Sequence, residues 1–284
     1  MEKVQTRRNF IRTAALATAV SSVSFRGWAE GFSALFNEGI HPSGEFSLLK
    51  LEKMLQNYQL PAAGNFSENS FSLNYRLFNL YGNNAAPAGT MKWNLEPANG
   101  KRQFRFSVDR IAGNGIMDQS VSFVYSTEGE VTCAPNDAFT PEKWNVSKRI
   151  ARNSEKEGYM GAGQTISGTL KNNRITLVTG KNKIVKETGA LPLSWKWGVM
   201  AMVQNMARKN HQELQFSALD EFDALYAFQE VKFVKDVPLD CSGTHRTFRV
   251  FLHTGDGIIP TFFWVDDLLR TVFVLTGMEA FVLY

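Results

Sequence analysis

The sequence predicts a mainly β protein: an antiparallel curved sheet, an incomplete barrel or a sandwich, with one N-terminal helix and one central helix. Three observations lead there. From residue 66 onward most segments alternate apolar and polar side chains, the two-residue period of half-buried strands. Turn-forming clusters such as Ala98-Asn99-Gly100 and Lys171-Asn172-Asn173 separate these runs, which suits sequential antiparallel pairing. Apolar residues recur at helical steps in two stretches.

Taken in order, residues 30 to 44 read as an irregular leader. Glu45 to Tyr58 reads as a helix, with Phe46, Leu49, Leu51, Leu55 and Tyr58 on one face, Ser43 as its cap and Pro61 as its stop. Phe71, Leu73, Tyr75 and Leu77 alternate with Ser72, Asn74, Arg76 and Phe78 in a long strand. Thr90–Glu96, Gln103–Ile111, Gln119–Ser126 and Pro141–Lys156 continue a meander, with Glu128-Gly129-Glu130 as one of its turns. Residues 155 to 163 read as a polar, glycine-rich loop, and Gln164–Leu170, Ile175–Thr179 and Asn182–Glu187 as further strands. Leu193 to Arg208 reads as the second helix, since Trp195, Val199, Met202, Val203 and Met206 fall at helical steps. Six strands are expected after it: Leu214–Ser217, Tyr226–Val234, His245–His253, Ile258–Val265, Thr271–Leu275 and Ala280–Leu283.

The first residues suggest a destination. Arg7 and Arg8 precede Phe10 and Ile11, a weakly apolar stretch runs from Thr13 to Phe25, and Gly27-Trp28-Ala29 supplies small residues for cleavage. That order is expected of a twin-arginine signal peptide over residues 1–29, read by the export machinery and cleaved near Ala29. It implies a periplasmic or secreted product. The rest divides into a leader and helix over 30–65 and a single β-rich domain over 66–284. No stretch reaches the ~20 apolar residues of a membrane-spanning helix, so no transmembrane anchor is expected. The whole chain has 31 basic and 27 acidic residues; residues 1–29 hold five bases and one acid, leaving 26 of each. A net charge of zero lacks the basic footprint of a nucleic-acid binder. In an oxidising compartment Cys133 and Cys241 are disulfide candidates, and the sequence leaves their pairing open.

Familiar catalytic motifs are missing: no HExxH, no CxxC, no GxSxG and no phosphate-binding loop. Gly158, Gly161, Gly163 and Gly168 read as turn glycines. On the expected strand 245–253, His245, Thr247, Arg249, Phe251 and His253 share a polar face, and Arg246, Phe248, Val250 and Leu252 an apolar one. The two histidines would stand about 26 Å apart at roughly 3.3 Å per residue, too far to hold one metal ion. Arg249, His245 and His253 are therefore candidate ligand contacts rather than metal ligands, and Trp264 is a candidate stacking surface. Asp266 and Asp267 read as the start of a turn, and Asp220, Glu221 and Asp223 as a surface cluster near Arg208 and Lys209.

The last third carries a resemblance. Thr247-Phe-Arg-Val-Phe-Leu, then Ile258-Ile-Pro-Thr-Phe-Phe-Trp-Val-Asp-Asp, then Thr271-Val-Phe-Val-Leu resembles the closing hairpins of uncharacterised periplasmic β-proteins, families of unknown function with a lipoprotein-carrier-like incomplete barrel. The resemblance implies a curved sheet wrapping a helix beside an apolar groove, and it brings no catalytic residues. The favoured reading is a non-enzymatic envelope protein that binds an apolar or amphipathic small molecule in that groove. An exported enzyme acting on carbohydrate and an accessory subunit of an exported oxidoreductase are the alternatives. No cofactor follows from the sequence.

Overall fold

The computed structural model of the protein describes residues 58–62, 64, 66–80, 85–112, 123–152, 160–276 and 279–284. They lie within one compact unit, Lys50–Tyr284. The predicted signal and all but Tyr58 of the predicted N-terminal helix fall outside the described residues.

The described residues form fifteen strands and one helix. β1 (Phe71–Asn79), β2 (Ala86–Ala98), β3 (Lys101–Ala112), β4 (Phe123–Cys133), β5 (Pro141–Arg152), β6 (Met160–Lys171), β7 (Arg174–Thr179) and β8 (Asn182–Glu187) make a meander. A three-residue strand β9 (Leu193–Trp195) leads into the helix α1 (Gly198–Lys209). β10 (Glu213–Asp220), β11 (Ala224–Cys241), β12 (Thr244–Gly255), β13 (Thr261–Val265), β14 (Thr271–Leu275) and β15 (Glu279–Leu283) follow. All fifteen share one sheet, in the order β8 to β1, then β15 down to β9. The pairs are antiparallel except β9 with β10, which the helix between them allows to run parallel. β8 and β9 are the two edges and do not pair, so the sheet curls without zipping shut.

Alternation explains most of these strands. In β1, Phe71, Leu73, Tyr75 and Leu77 are buried while Ser72 and Arg76 are exposed. Two turns follow from residues that tolerate positive φ: Asn99 (51°) with Gly100 (75°), and Asn172 (51°) with Asn173 (58°), both joining tight hairpins.

The structure corrects four sequence expectations. Glu128-Gly129-Glu130 is not a turn but the interior of β4. A Cβ on Gly129 would lie 2.7 Å from Val146 Cγ2 and 3.2 Å from the Phe106 ring, so glycine is there to admit those side chains. Gly161, Gly163 and Gly168 belong to β6, not to a loop, and the Trp144 indole lies over Gly168 where any Cβ would collide with it. Leu193–Trp195 is strand rather than helix; α1 begins only at Gly198, whose missing side chain makes room for the Trp195 indole. Asp220, Glu221 and Asp223 face Lys196 and Lys148 instead of Arg208 and Lys209, whose carboxylate partners are Glu68 and Asp137.

The curl is held from inside. Trp195 of β9 and Phe222 of the β10–β11 turn insert into the concave face of β3–β5. Trp195 meets Phe104 (5.4 Å between ring centroids) and Phe106 (5.7 Å); Phe222 stacks on Phe106 (5.8 Å) and meets Trp144 (6.3 Å). All five rings are buried. Around them, Lys148 of β5 reaches Asp223 (3.3 Å), and Lys186 of β8 donates to the Asp223 carbonyl (2.5 Å). Side chains thus bridge the gap that no strand ladder spans.

On the opposite face, the segment before β1 covers β13–β15. The Tyr58 hydroxyl donates to the Leu283 carbonyl (2.6 Å), and the Tyr58 ring packs on Phe273. Asp266 starts a turn, as read from the sequence, and pairs with Arg270 (2.7 Å); both are almost wholly buried. Arg270 also donates to the carbonyls of Pro61 and Ala62.

Phe222→Ala removes the ring that touches Phe106, Trp144 and Trp195 together. It should cost about 3–5 kcal/mol, the usual range for truncating a fully buried aromatic, measured as a lower urea midpoint with an unchanged slope.

Candidate functional site

Where α1 meets the sheet, a cleft of about 560 Å³ remains unfilled. Trp197, Val199 and Met200, at the start of α1, form one wall. Register sets the floor: Phe263 of β13 pairs with Val274 of β14, which pairs with Phe281 of β15, so three apolar side chains lie in a row across adjacent strands. Ala218 of β10 and His253 of β12 extend it. Three apolar residues at the cleft stand half in water: Ile111, Tyr125 and Ile259 are 42%, 44% and 45% exposed. That is the opposite of what solvent alone would favour, and it marks where something else can be covered.

One wall is charged but matched. Arg110 pairs with Glu279 (3.1 Å), and Lys196 with Glu221 (2.5 Å) and Asp220 (3.3 Å). The Trp197 ring lies between the two cations, 5.6 Å from the Arg110 guanidinium and 5.4 Å from Lys196 Nζ. Burial works against the Lys196 ammonium, but Glu221 and Asp220 outweigh it and raise its pKa. Burial likewise disfavours the Glu221 carboxylate, yet Lys196 prevails and lowers its pKa.

The predicted contact residues do not come together. His245 is exposed and paired with Asp240 (2.8 Å). Arg249 is committed to the end of the helix: it donates to the Ala207 carbonyl (2.7 Å) and to Asn210 Oδ1 (2.6 Å), with its guanidinium over the Phe233 ring. It therefore caps carbonyls that α1 leaves unsatisfied. Trp264 is fully buried on the other face of the sheet, against Phe248 and Phe273. Only His253 reaches the cleft. The polar face expected on β12 is wet only at its start: His245 and Thr247 are exposed and Arg249 half-buried, but Phe251 and His253 are buried on it, as Phe248 and Val250 are on the other. Alternation fails there because the end of α1 and Phe216 close over one side, at Arg249 and His253, while Phe248 packs with Trp264 and Phe273 on the other. Cys133 and Cys241 are both buried, unbridged thiols. Burial raises the pKa of each, that of Cys241 to about 11. Among the described residues no group of His, Cys, Asp or Glu side chains could hold a metal ion.

Arg110, Lys196 and Glu279 escaped the sequence reading, which set Asp220 beside Arg208 and Lys209 instead of Lys196. Arg110 had a signal: it continues the parity of Phe104, Phe106 and Val108, and a charge on a dry face calls for a partner.

His253 donates from Nε2 to Gln229 Oε1 (3.1 Å), and burial pushes its pKa down to about 3. No family model and no curated protein matches this chain. A solved structure does: the crystal structure of a β-barrel-like protein of the domain of unknown function DUF1849 from Brucella abortus. It is 10% identical, with a TM-score of 0.51 over 76% of this chain and 95% of that one. At that identity the likeness is one of fold, and it agrees with the expected resemblance to an uncharacterised β-protein with an incomplete barrel. Among the described residues no helix is long and apolar enough to cross a membrane.

The depressed pKa of His253 has a sign. The unfolded imidazole takes up a proton below about 6.5, and the folded one stays neutral down to about 3. This contribution to stability is complete above pH 6.5 and is lost as the pH falls through that window. Between pH 7 and pH 5 the wild type should lose about 2 kcal/mol that His253→Phe keeps, read from urea unfolding of both proteins at the two pH values.

Proposed function

We propose that this chain is an exported, non-enzymatic binding protein whose cleft between α1 and the sheet takes an apolar or amphipathic small molecule. The cleft carries the proposal: about 560 Å³, floored by Phe263, Val274 and Phe281 and flanked by half-exposed Ile111, Tyr125 and Ile259. Ligand sites are typically concave, mostly apolar and of ~300–1,000 Å³, with a few polar groups that orient the guest. An enzyme would need titratable side chains converging on one point. Here the charged residues of the wall are tied to one another, and His245, Arg249 and His253 serve separate places.

Titration with the neutral fluorophore N-phenyl-1-naphthylamine should give a saturable, one-to-one rise in fluorescence. Narrowing the cleft with Ala88→Trp should weaken it by about tenfold or more, roughly 1.4 kcal/mol of binding, with the far-UV circular dichroism unchanged. A signal that does not saturate, or equal affinity in the folded variant, removes the reading.

Export rests on Arg7 and Arg8 and the small-residue site before Glu30. Replacing both arginines by lysine keeps the charge but removes the paired guanidinium groups. The full-length precursor should then accumulate in the cytoplasm, where cell fractionation finds it. Unimpaired processing near Ala29 would contradict the twin-arginine route.

A further inference from the structure

The chemistry of the ligand can be narrowed from one buried pair. Gln229 is wholly buried, and its carboxamide has a fixed orientation, since Nε2 donates to the carbonyls of Ala227 (3.2 Å) and Asp256 (3.0 Å). Its Oε1 is therefore the atom 3.1 Å from His253 Nε2. A carboxamide oxygen can only accept, so the imidazole proton resides on Nε2 and the lone pair is left on Nδ1. Among the described residues no hydrogen bond to Nδ1 accompanies the one at Nε2; Nδ1 is not among the fully enclosed unpartnered atoms, and His253 lines the cleft.

The rest of the wall excludes charge. Arg110 is matched by Glu279, and Lys196 by Asp220 and Glu221, so the charges of the wall balance and no net positive charge favours a carboxylate or phosphate. A neutral ring presenting a lone pair repels an anion and accepts from a hydroxyl. Phe216 and Phe263 stand 5.4 Å and 6.4 Å from the imidazole, so this acceptor lies among apolar rings, where an unanswered polar atom is costly.

We propose that the cleft selects uncharged apolar molecules bearing a hydroxyl, which donates its hydrogen bond to Nδ1 of His253. This rests on the binding-cleft reading above. The class includes long-chain alcohols and polycyclic alcohols; it leaves out fatty-acid anions and phospholipids. Gln229 acts as a positioning residue that fixes the tautomer, and His253 supplies the contact.

Displacement of N-phenyl-1-naphthylamine by three matched competitors tests this at pH 7.5: dodecanol, dodecyl methyl ether and dodecanoate. Dodecanol should displace the probe at about one-tenth the concentration of the ether, the worth of one neutral hydrogen bond, and dodecanoate should be weakest. His253→Phe should remove the advantage of the alcohol over the ether, with the far-UV circular dichroism of the wild type showing that the variant is folded. Gln229→Leu removes the acceptor opposite Nε2, frees the imidazole proton to move to Nδ1, and should reduce the preference for the alcohol. Imidazole 15N spectra of the wild type should show the Nε2–H tautomer. Equal displacement by alcohol and ether in the wild type, or dodecanoate as the best competitor, overturns the proposal and leaves the cleft standing. Failure of all three to displace a bound probe overturns both.

Discussion

A curved sheet whose edge strands never meet needs something in its concavity, because no ladder of backbone hydrogen bonds holds the ends together. Here that role falls to Trp195 and Phe222, seated against Phe104, Phe106 and Trp144. Everything nearby is arranged around them. Glycine at 129 and 168 lets aromatic rings lie flat on the sheet, and glycine at 198 lets the helix start beside an indole. The β10–β11 turn holds Glu221 and Phe222 at positive φ, so that the phenylalanine points inward while the acids meet Lys148 and Lys196. Nonpolar contact sets the curvature, and ion pairs fasten its margin.

The same arrangement leaves the cleft. α1 is twelve residues long and buried along most of its length. Its far end is fastened by Arg249 and by Asn210 in a left-handed conformation, while at the near end Trp197 packs on Phe281 and the cleft opens beside them, lined by Val199, Met200, Phe263 and Val274. Charged groups around that space are satisfied in pairs, Arg110 with Glu279 and Lys196 with Glu221, while His253 meets Gln229 through Nε2 alone. A site of this kind holds a guest mainly by removing its apolar surface from water and uses few polar contacts to orient it.

Much of the fold was legible because β1 and β3 obey simple alternation, and because Asn-Gly and Asn-Asn turns identify themselves. What misled the reading was local chemistry overruled by distant neighbours. Gly129 resembles a turn until Phe106 is seen lying beside it. Trp195 fits a helical period, yet Leu193–Trp195 is recruited by β10, more than twenty residues further on. The face of β12 that carries Arg249 and His253 looks wet, because the end of α1 and Phe216, which close over it, come from other parts of the chain. Of the proposed contacts only His253 lies where a ligand can reach, and the matched charges of the wall were invisible because Arg110 and Glu279 are far apart in sequence. Parity reports which side of a strand a residue occupies, and only tertiary structure says what lies there.

The seam between β1 and β15 carries a kinetic consequence. It joins Tyr75 to Leu283, and Tyr58 is tied to the same last strand across 225 positions. Closing so large a loop must precede any reward from the contacts it makes, which is the condition that slows β-rich chains. Until then the two halves are separate meanders, each with a naked adhesive border along β1 or β15. The two half-sheets can join only once the chain has been synthesised through Leu283, so β1 waits for its second partner long after β2 has taken its place on the other side.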